Sequence, residues 1–309
     1  MAYAIDSKVA ILMATYQGER YIYEQLESFN NQSYKNWQLA VSDDGSKDNT
    51  LLLIQDFASK IENKVQIFQG PGKGFVGNFL SLLFRNELKA QFYSFSDQDD
   101  IWHRDKLARA VDWLSTIPTN IPALYCSRTH LINNHKISLG FSPLFKRLPS
   151  FSNSLVQNIG GGNTMVFNQA ARDIILKAGL VNVVSHDWWI YILLSGVGGK
   201  IHYDQVPGLD YRQHGENLIG TNLGLGARLL RLKKIFQGQY RKWNALHIDA
   251  LKKNKEMLTV ENQRKLFWFE KIHNNNIFLR LYYFSKLKLY RQSIIDTLAI
   301  FIAVLFKKV

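Results

Sequence analysis

The chain has 309 residues, 46% of them apolar and 20% charged, which is enough apolar material for one large core or two modest ones and too much for wholesale disorder. A single cysteine, Cys126, excludes an intrachain disulfide and a thiolate zinc cluster and fits a reducing compartment. The net charge of +13 invites a nucleic-acid reading, but residues 1–225 hold 20 Lys+Arg against 20 Asp+Glu, whereas residues 226–309 hold 18 against 5. A neutral body with a basic tail points to chemistry in front and attraction to an anionic partner behind.

In chain order, the first 20 residues carry an acid and then an apolar run of only Val9 to Ala14. That run is too short for the core of a signal peptide or for a bilayer span, so a cytosolic start is expected. Val9 to Thr15 reads as a strand buried on both faces, Glu19 to Asn31 as a helix with Tyr21, Ile22, Gln25, Leu26 and Phe29 on one stripe, and Trp37 to Val41 as a second strand. Asp48 is expected to cap a helix through Lys60. Val65 to Phe68, a helix over Phe75 to Arg85, the strand Phe92 to Ser96 and a helix from about Arg104 to Leu114 continue the alternation, which predicts a doubly wound α/β sheet. Between Ile117 and Ser154 the pattern breaks into an inserted, loop-rich region with Leu124 to Cys126 as its one clear strand. Strand Thr164 to Asn168, helix Gln169 to Ala178, a helix from Asp187 and strand Lys200 to Gln205 restore regularity, and from about Gly226 the chain reads as helical. Residues 1–225 are thus expected to form the catalytic domain and residues 226–309 a packed, basic, helical appendage.

Four constellations carry chemistry. Ser96-Asp97-Gln98-Asp99-Asp100-Ile101-Trp102 follows an apolar strand, placing three carboxylates where open α/β sheets bind ligands, and such hard oxygen donors suit Mg²⁺ or Mn²⁺ on a diphosphate. The alternative is that Asp99 or Asp100 caps the next helix. Asp43-Asp44-Gly45-Ser46 ends the second strand at the same edge, either as a nucleotide contact or as an ordinary Asp-Gly turn. Ser185-His186-Asp187-Trp188-Trp189 sets an acid beside two tryptophans, a partly dry setting suited to a general base, or else a favourable helix start. His214, in Tyr211-Arg212-Gln213-His214-Gly215, offers a metal or diphosphate contact or fills a bland surface or core role. Gly72-Lys73-Gly74-Phe75-Val76-Gly77 matches a dinucleotide fingerprint with Asp97 20 residues beyond it, but it follows the third strand rather than the first, so a turn whose Lys73 meets a phosphate is preferred to hydride transfer. No G-x-S-x-G elbow or Cys/His signature supports covalent hydrolysis.

Taken together, ATYQGERYIYEQLESFNNQSYKNWQLAVSDDGSKDNT, SDQDDIW, GGGNTMVFN, HDWW and YRQHGENLIG resemble the family two glycosyltransferases of the GT-A fold over residues 8 to about 220. The wording SDQDDIW with HDWW and YRQHG is most similar to bacterial rhamnosyltransferases of cell-wall polysaccharide or O-antigen synthesis, which use dTDP-L-rhamnose. The resemblance implies that Thr15 and Asp43 hold the nucleoside, Asp43 through the pyrimidine N3–H. It further implies that Asp97 meets the ribose region, that Asp99 holds Mn²⁺ or Mg²⁺ with Asp100 in support, and that Asp187 deprotonates an acceptor hydroxyl on a lipid-linked glycan; His214 is taken as the further metal ligand. His186 stands where a Glu is frequent, and the absence of a Q-x-x-R-W segment speaks against processive synthesis. A UDP-hexose or UDP-N-acetylhexosamine transferase of the same fold is one alternative, and a non-catalytic nucleotide- or nucleic-acid-binding protein is another.

In the tail, Arg228, Arg231, Lys233, Lys234, Arg241 and Lys242 precede a stretch, residues 277–291, that interleaves aromatic and basic side chains, and Leu298 to Phe306 is a nine-residue apolar run ahead of Lys307-Lys308. Such helices suit an anionic membrane surface, here the inner face of a bacterial plasma membrane, or they pack on the catalytic domain or on a second copy of the chain. Nothing resembles an RNA-recognition motif, so nucleic acid is not expected as a partner.

Overall fold

The computed structural model describes residues 7–213 and 238–308. His214, the boundary expected near residue 225 and the basic residues 228–234 lie outside the described residues. The strands are β1 (Val9–Thr15), β2 (Trp37–Asp43), β3 (Val65–Gln69), β4 (Phe92–Ser96), β5 (Ile101–Trp102), β6 (Ala123–Ser127), β7 (His130–Ile132), β8 (Ser138–Phe141), β9 (Val166–Asn168), β10 (Lys200–Asp204) and β11 (Leu209–Arg212). The helices are α1 (Ile22–Asn30), α2 (Thr50–Ser59), α3 (Gly74–Leu83), α4 (Lys106–Leu114), α5 (Phe151–Ser154), α6 (Gln169–Ala178), α7 (His186–Gly196), α8 (Gln239–Lys253), α9 (Val260–Asn274), α10 (Ile277–Leu287) and α11 (Ile294–Leu305).

Seven strands form one sheet in the order β10-β6-β9-β4-β1-β2-β3. Strands β1 to β4 run parallel to one another, because each crossover between them is a helix long enough to return the chain to the starting edge. Residues along β1 divide between the two faces: Ala10 and Leu12 enter one core, and Val9, Ile11 and Met13 the other. This explains the unbroken apolar run, since a strand covered by helices on both sides has no polar face.

β9 runs antiparallel to both β4 and β6. The reversal carries the Gly160–Thr164 segment to the edge where β4 ends. The strand expected from Thr164 is shorter at its start, because residues 162–164 form a 3₁₀ turn. The loop-rich reading of residues 117–154 also needs correction: β7 and β8 join β5 and β11 in a second sheet ordered β5-β11-β7-β8. These strands have only two to four residues, too few for a period-2 pattern to show in the sequence.

Helix ends follow local chemistry. Asn168, Thr259, Asn276 and Ser293 each cap a helix by accepting a backbone N–H three residues on. Gly179 ends α6 with φ 71°, a conformation that glycine adopts without penalty. Asn49, not Asp48, stands at the cap position of α2; Asp48, two residues before the helix, accepts from Thr50 N and also from Glu19 N.

The C-terminal helices are not a separate module. Leu251, Phe269, Leu287 and Val304 are fully buried in the same core as Leu12, Phe95 and Leu124 of the sheet.

Candidate active site

The edge formed by the ends of β1, β2 and β4 is built by register. Thr15 pairs with Asp43, and Met13 pairs with Ser96, so the loops after all three strands emerge together. Side chains stitch these loops. Gln98 Nε2 donates to Tyr16 O at 2.9 Å while its Oε1 accepts from Tyr16 N at 2.8 Å. A Cβ at Gly18 would sit 2.5 Å from that same Oε1, so a side chain there would push Gln98 off Tyr16. Gln17 Oε1 accepts from Lys47 N and Asp48 N, tying the first loop to the second.

Thr15 and Asp43 are buried together, Thr15 Oγ1 donating to Asp43 Oδ1 at 2.8 Å. Ser46 Oγ donates to the same oxygen, and Gly45 N and Ser46 N donate to Oδ2, so four donors engage the carboxylate. A nucleobase N3–H therefore reaches Asp43 only if the Thr15 or Ser46 hydroxyl rotates away. Asp44 accepts from Gly72 N at 2.7 Å and Gly74 N at 3.0 Å, which folds the glycine-rich segment into a turn at this edge and leaves Lys73 exposed beside it.

Asp97, Asp99 and Asp100 each place a carboxylate oxygen within 4.8 Å of the others. Their settings differ. Asp97 and Asp99 are half-buried and Asp100 is fully buried. Asn163 Nδ2 donates to Asp100 at 2.5 Å, and Arg212 N donates to its other oxygen at 3.3 Å, so Asp100 anchors the loop. Burial, with Asp99 and Asp187 nearby, pushes Asp97 up to about 8 against the pull of Lys106, and burial with Asp99 and Asp97 raises Asp100 well above the usual carboxylate range. Three crowded hard oxygen donors, two of them raised for want of counter-charge, fit a divalent cation of the Mg²⁺ or Mn²⁺ kind.

Lys106 and Arg212 support this loop. Lys106 is buried with Nζ 3.3 Å from Ser94 Oγ and 3.2 Å from the centre of the Trp102 ring, and burial depresses its amine well below the usual lysine range. Arg212 donates through Nε to Asp99 O at 3.0 Å and through Nη2 to Glu24 at 2.5 Å, and its guanidinium lies over Tyr21. The Glu24 carboxyl is consequently held low: Lys136 and Arg212 outweigh its partial burial. Sequence reading singled out His214 in this motif and missed Arg212; an arginine at the end of a short strand was the available signal.

Asp187 lies in the first turn of α7. Its Oδ1 accepts from Trp188 N at 2.7 Å and from Ser185 Oγ, and its Oδ2 accepts Gly162 N at 3.2 Å. Among these bonds Oδ2 has one partner, which leaves a lone pair for a further donor. Gly162 also has to be glycine, since a Cβ there would lie 2.5 Å from His186 Nε2. His186 stacks on Phe79 at 4.3 Å and meets Phe95 edge-on at 5.0 Å; burial lowers its imidazole pKa, and neither ring nitrogen has a hydrogen-bond partner. From α8, His247 sits edge-on to Trp188 at 4.7 Å and is pushed down to about 4 by burial, with the Asp187 charge opposing. The C-terminal region therefore supplies part of the wall beside Asp187, a contribution invisible in a sequence whose two pieces lie 60 residues apart.

An open sheet with one reversed strand, acid-lined at its edge, is the architecture of the GT-A glycosyltransferases. Solved relatives share the fold: S. aureus TarS 1-349 aligns with TM-score 0.56 at 15% identity over 85% of this chain and 70% of its own. The mannosyltransferase PcManGT from Pyrobaculum calidifontis, solved with GDP-Man and Mn²⁺, aligns with TM-score 0.52 at 16% identity over 98% and 86%. Residues 10–175 match Glycosyl transferase family 2, and the chain belongs to that family. A dTDP-rhamnosyl transferase, RfbG of Shigella flexneri, is 31% identical over 264 residues, 78% of this chain and 87% of that protein. The β-1,3-glucosyltransferase WfgD of Escherichia coli, named for transfer from UDP-Glc to α-D-GlcNAc-diphosphoundecaprenol, is 31% identical over 43% of this chain and 49% of its own.

Proposed function

We propose that this glycosyltransferase moves L-rhamnose from dTDP-L-rhamnose, with inversion and with a divalent cation, onto a hydroxyl of a lipid-linked bacterial surface glycan at the inner membrane face. The donor follows the RfbG likeness, which spans most of both chains. The observation that carries the mechanism is the separation of two acidic stations, Asp97 with Asp99 at the end of β4 and Asp187 on α7, held by different supports yet near enough for Asp187 to raise Asp97.

Asp99 would hold the cation, joined by Asp97, whose place in the acidic cluster suits the metal as well as the ribose region expected for it, with Asp100 and Arg212 fixing their loop and His214 as a further ligand. Bound there, a divalent ion supplies the positive charge that offsets what develops on the departing diphosphate. Thr15 and Asp43 would seat the nucleoside, and Lys73 a phosphate. Asp187 Oδ2 accepts the proton of the acceptor hydroxyl as its oxygen bonds to the anomeric carbon. The bond from that carbon to the diphosphate breaks, and its electron pair leaves with dTDP. One base and one displacement give inversion, with no covalent intermediate.

Donor turnover measured over dTDP-rhamnose, UDP-glucose, UDP-galactose and UDP-N-acetylhexosamines, with and without Mn²⁺, tests the assignment. Preferential, Mn²⁺-dependent consumption of dTDP-rhamnose is expected. Preference for a UDP-sugar would move the chain to the other donor class.

Among the described residues no helix is long and apolar enough to cross a membrane. The route to a lipid-linked acceptor would then be adsorption of the basic C-terminal region to an anionic leaflet.

A further inference from the structure

The apolar stripes of the tail divide in two. Leu287, Leu289, Ile300, Ala303 and Val304 are buried core, and Arg280 is buried too, donating to the carbonyls of Val304 and Leu305 at the end of α11. Ile294 is 85% exposed, Ile295 62% and Leu298 55%, and these three share the outward side of α11. Leu148, 84% exposed, adjoins them, because Arg147 exchanges two backbone-to-side-chain hydrogen bonds of 2.8 Å with Gln292. Between α10 and α11 a groove of about 380 Å³ is lined by Phe284, Ile294, Thr297, Leu298 and Phe301, with Arg147 at its rim.

From this we infer that the outer face of α11, with Leu148 and the groove, is a docking face that inserts shallowly into an anionic lipid bilayer. The inference rests on the proposal that the basic C-terminal region meets an anionic leaflet, and it adds an apolar anchor at named positions. Charge selects the occupant. Of the six Lys or Arg in residues 275–309, Arg280 and Arg291 are buried, while Lys286, Lys288, Lys307 and Lys308 reach the surface against a single acid, Asp296, and the exposed Lys146 and Arg147 add two more cations. A second copy of the chain seated here would set like charges against each other, whereas an anionic headgroup layer complements them. Length agrees: twelve helical residues extend about 18 Å, well short of a hydrocarbon core of about 30 Å, so α11 lies along the interface rather than through it.

The test uses the full chain with phosphatidylcholine vesicles, with and without phosphatidylglycerol, at low and high salt. Ile294→Glu with Leu298→Glu is the disruptive variant, Ile294→Ala with Leu298→Ala the mild one, and Leu180→Glu, at a 73% exposed leucine after α6, the control. The expected result is binding to phosphatidylglycerol vesicles that the glutamate pair weakens at least roughly tenfold, the alanine pair less, and the control not at all, with a residue of wild-type binding surviving high salt. Equal binding by wild type and both paired variants would overturn the apolar anchor while leaving electrostatic adsorption standing. No binding by the wild type would overturn both. Light scattering that shows a wild-type dimer split by the glutamate pair, without vesicle binding, would make the face an interface between copies.

Discussion

Asp43 shows how one side chain organises a site before any ligand arrives. Its four hydrogen-bond donors mean that Asp43→Asn can keep an acceptor for the Gly45 and Ser46 backbone N–H groups only by turning its N–H₂ to the Thr15 and Ser46 hydroxyls, both of which donate to the carboxylate. A stability loss of about 1–3 kcal/mol is expected, together with weakened nucleotide binding. Denaturant unfolding checks it, and a variant as stable as wild type would show the network to be dispensable. Asp97 makes a second prediction. With a carboxyl raised to about 8, it carries a proton at neutral pH until a cation displaces it. Mn²⁺ binding should release close to one proton there, and affinity should climb roughly tenfold per pH unit below about pH 8 and level off above it. Calorimetry in buffers of different ionisation enthalpy reads the proton count, and a count of zero would contradict the raised value.

At the scale of elements, the second sheet is held by charge as much as by packing. Asp210 on β11 accepts from His103 Nε2 and from His130 Nδ1, both at 2.8 Å, and His103 Nδ1 lies 3.1 Å from Pro207 O. Both ring nitrogens of His103 thus face oxygen acceptors, which requires the imidazolium. The Asp210 hydrogen bond is the largest cause of its raised pKa, and the two histidines hold Asp210 low despite its partial burial. For His103 the stabilisation is complete below the ordinary imidazole value and is lost as pH rises through the raised one. For Asp210 it is present above the ordinary carboxylate value and is lost as pH falls through the lowered one. Hydrogen-exchange protection of β5 and β11 should therefore peak between those limits and fall on the alkaline side, and Asp210→Asn should flatten the profile. An unchanged profile in that variant would separate this cluster from the sheet's stability. Because β5 follows the acidic loop directly, the same titration should loosen Asp99 and Asp100.

Over the whole molecule, the sequence was most legible where burial imposes a pattern. β4 and α6 lie at the expected residues, because a two-face-buried strand and a capped amphipathic helix are both written locally. The direction of β9 was not legible, since a short strand carries no sign of which way it pairs, and that direction is what sets Gly162 and Asn163 against Asp187 and Asp100. Nor could charge counting reveal that the basic tail is a folding partner. Leu251, Phe269, Leu287 and Val304 are each fully buried, and each such side chain contributes about 1.5–3 kcal/mol. A chain ending near residue 225 should consequently lose cooperative thermal unfolding and bind hydrophobic dyes. A sharp transition in that truncated chain would show the catalytic domain to be self-sufficient.

The central claim, that separate carboxylates serve donor and acceptor, meets its most direct test in calorimetric titration of dTDP, with Mn²⁺ present, into wild type, Asp99→Ala and Asp187→Asn, paired with turnover. Asp99→Ala should lose the Mn²⁺-dependent part of binding. Asp187→Asn should bind dTDP and Mn²⁺ as wild type does while turnover falls by roughly 10² to 10⁴, the usual worth of a positioned base. Loss of dTDP binding in Asp187→Asn, or full activity in Asp99→Ala, would contradict the division of roles.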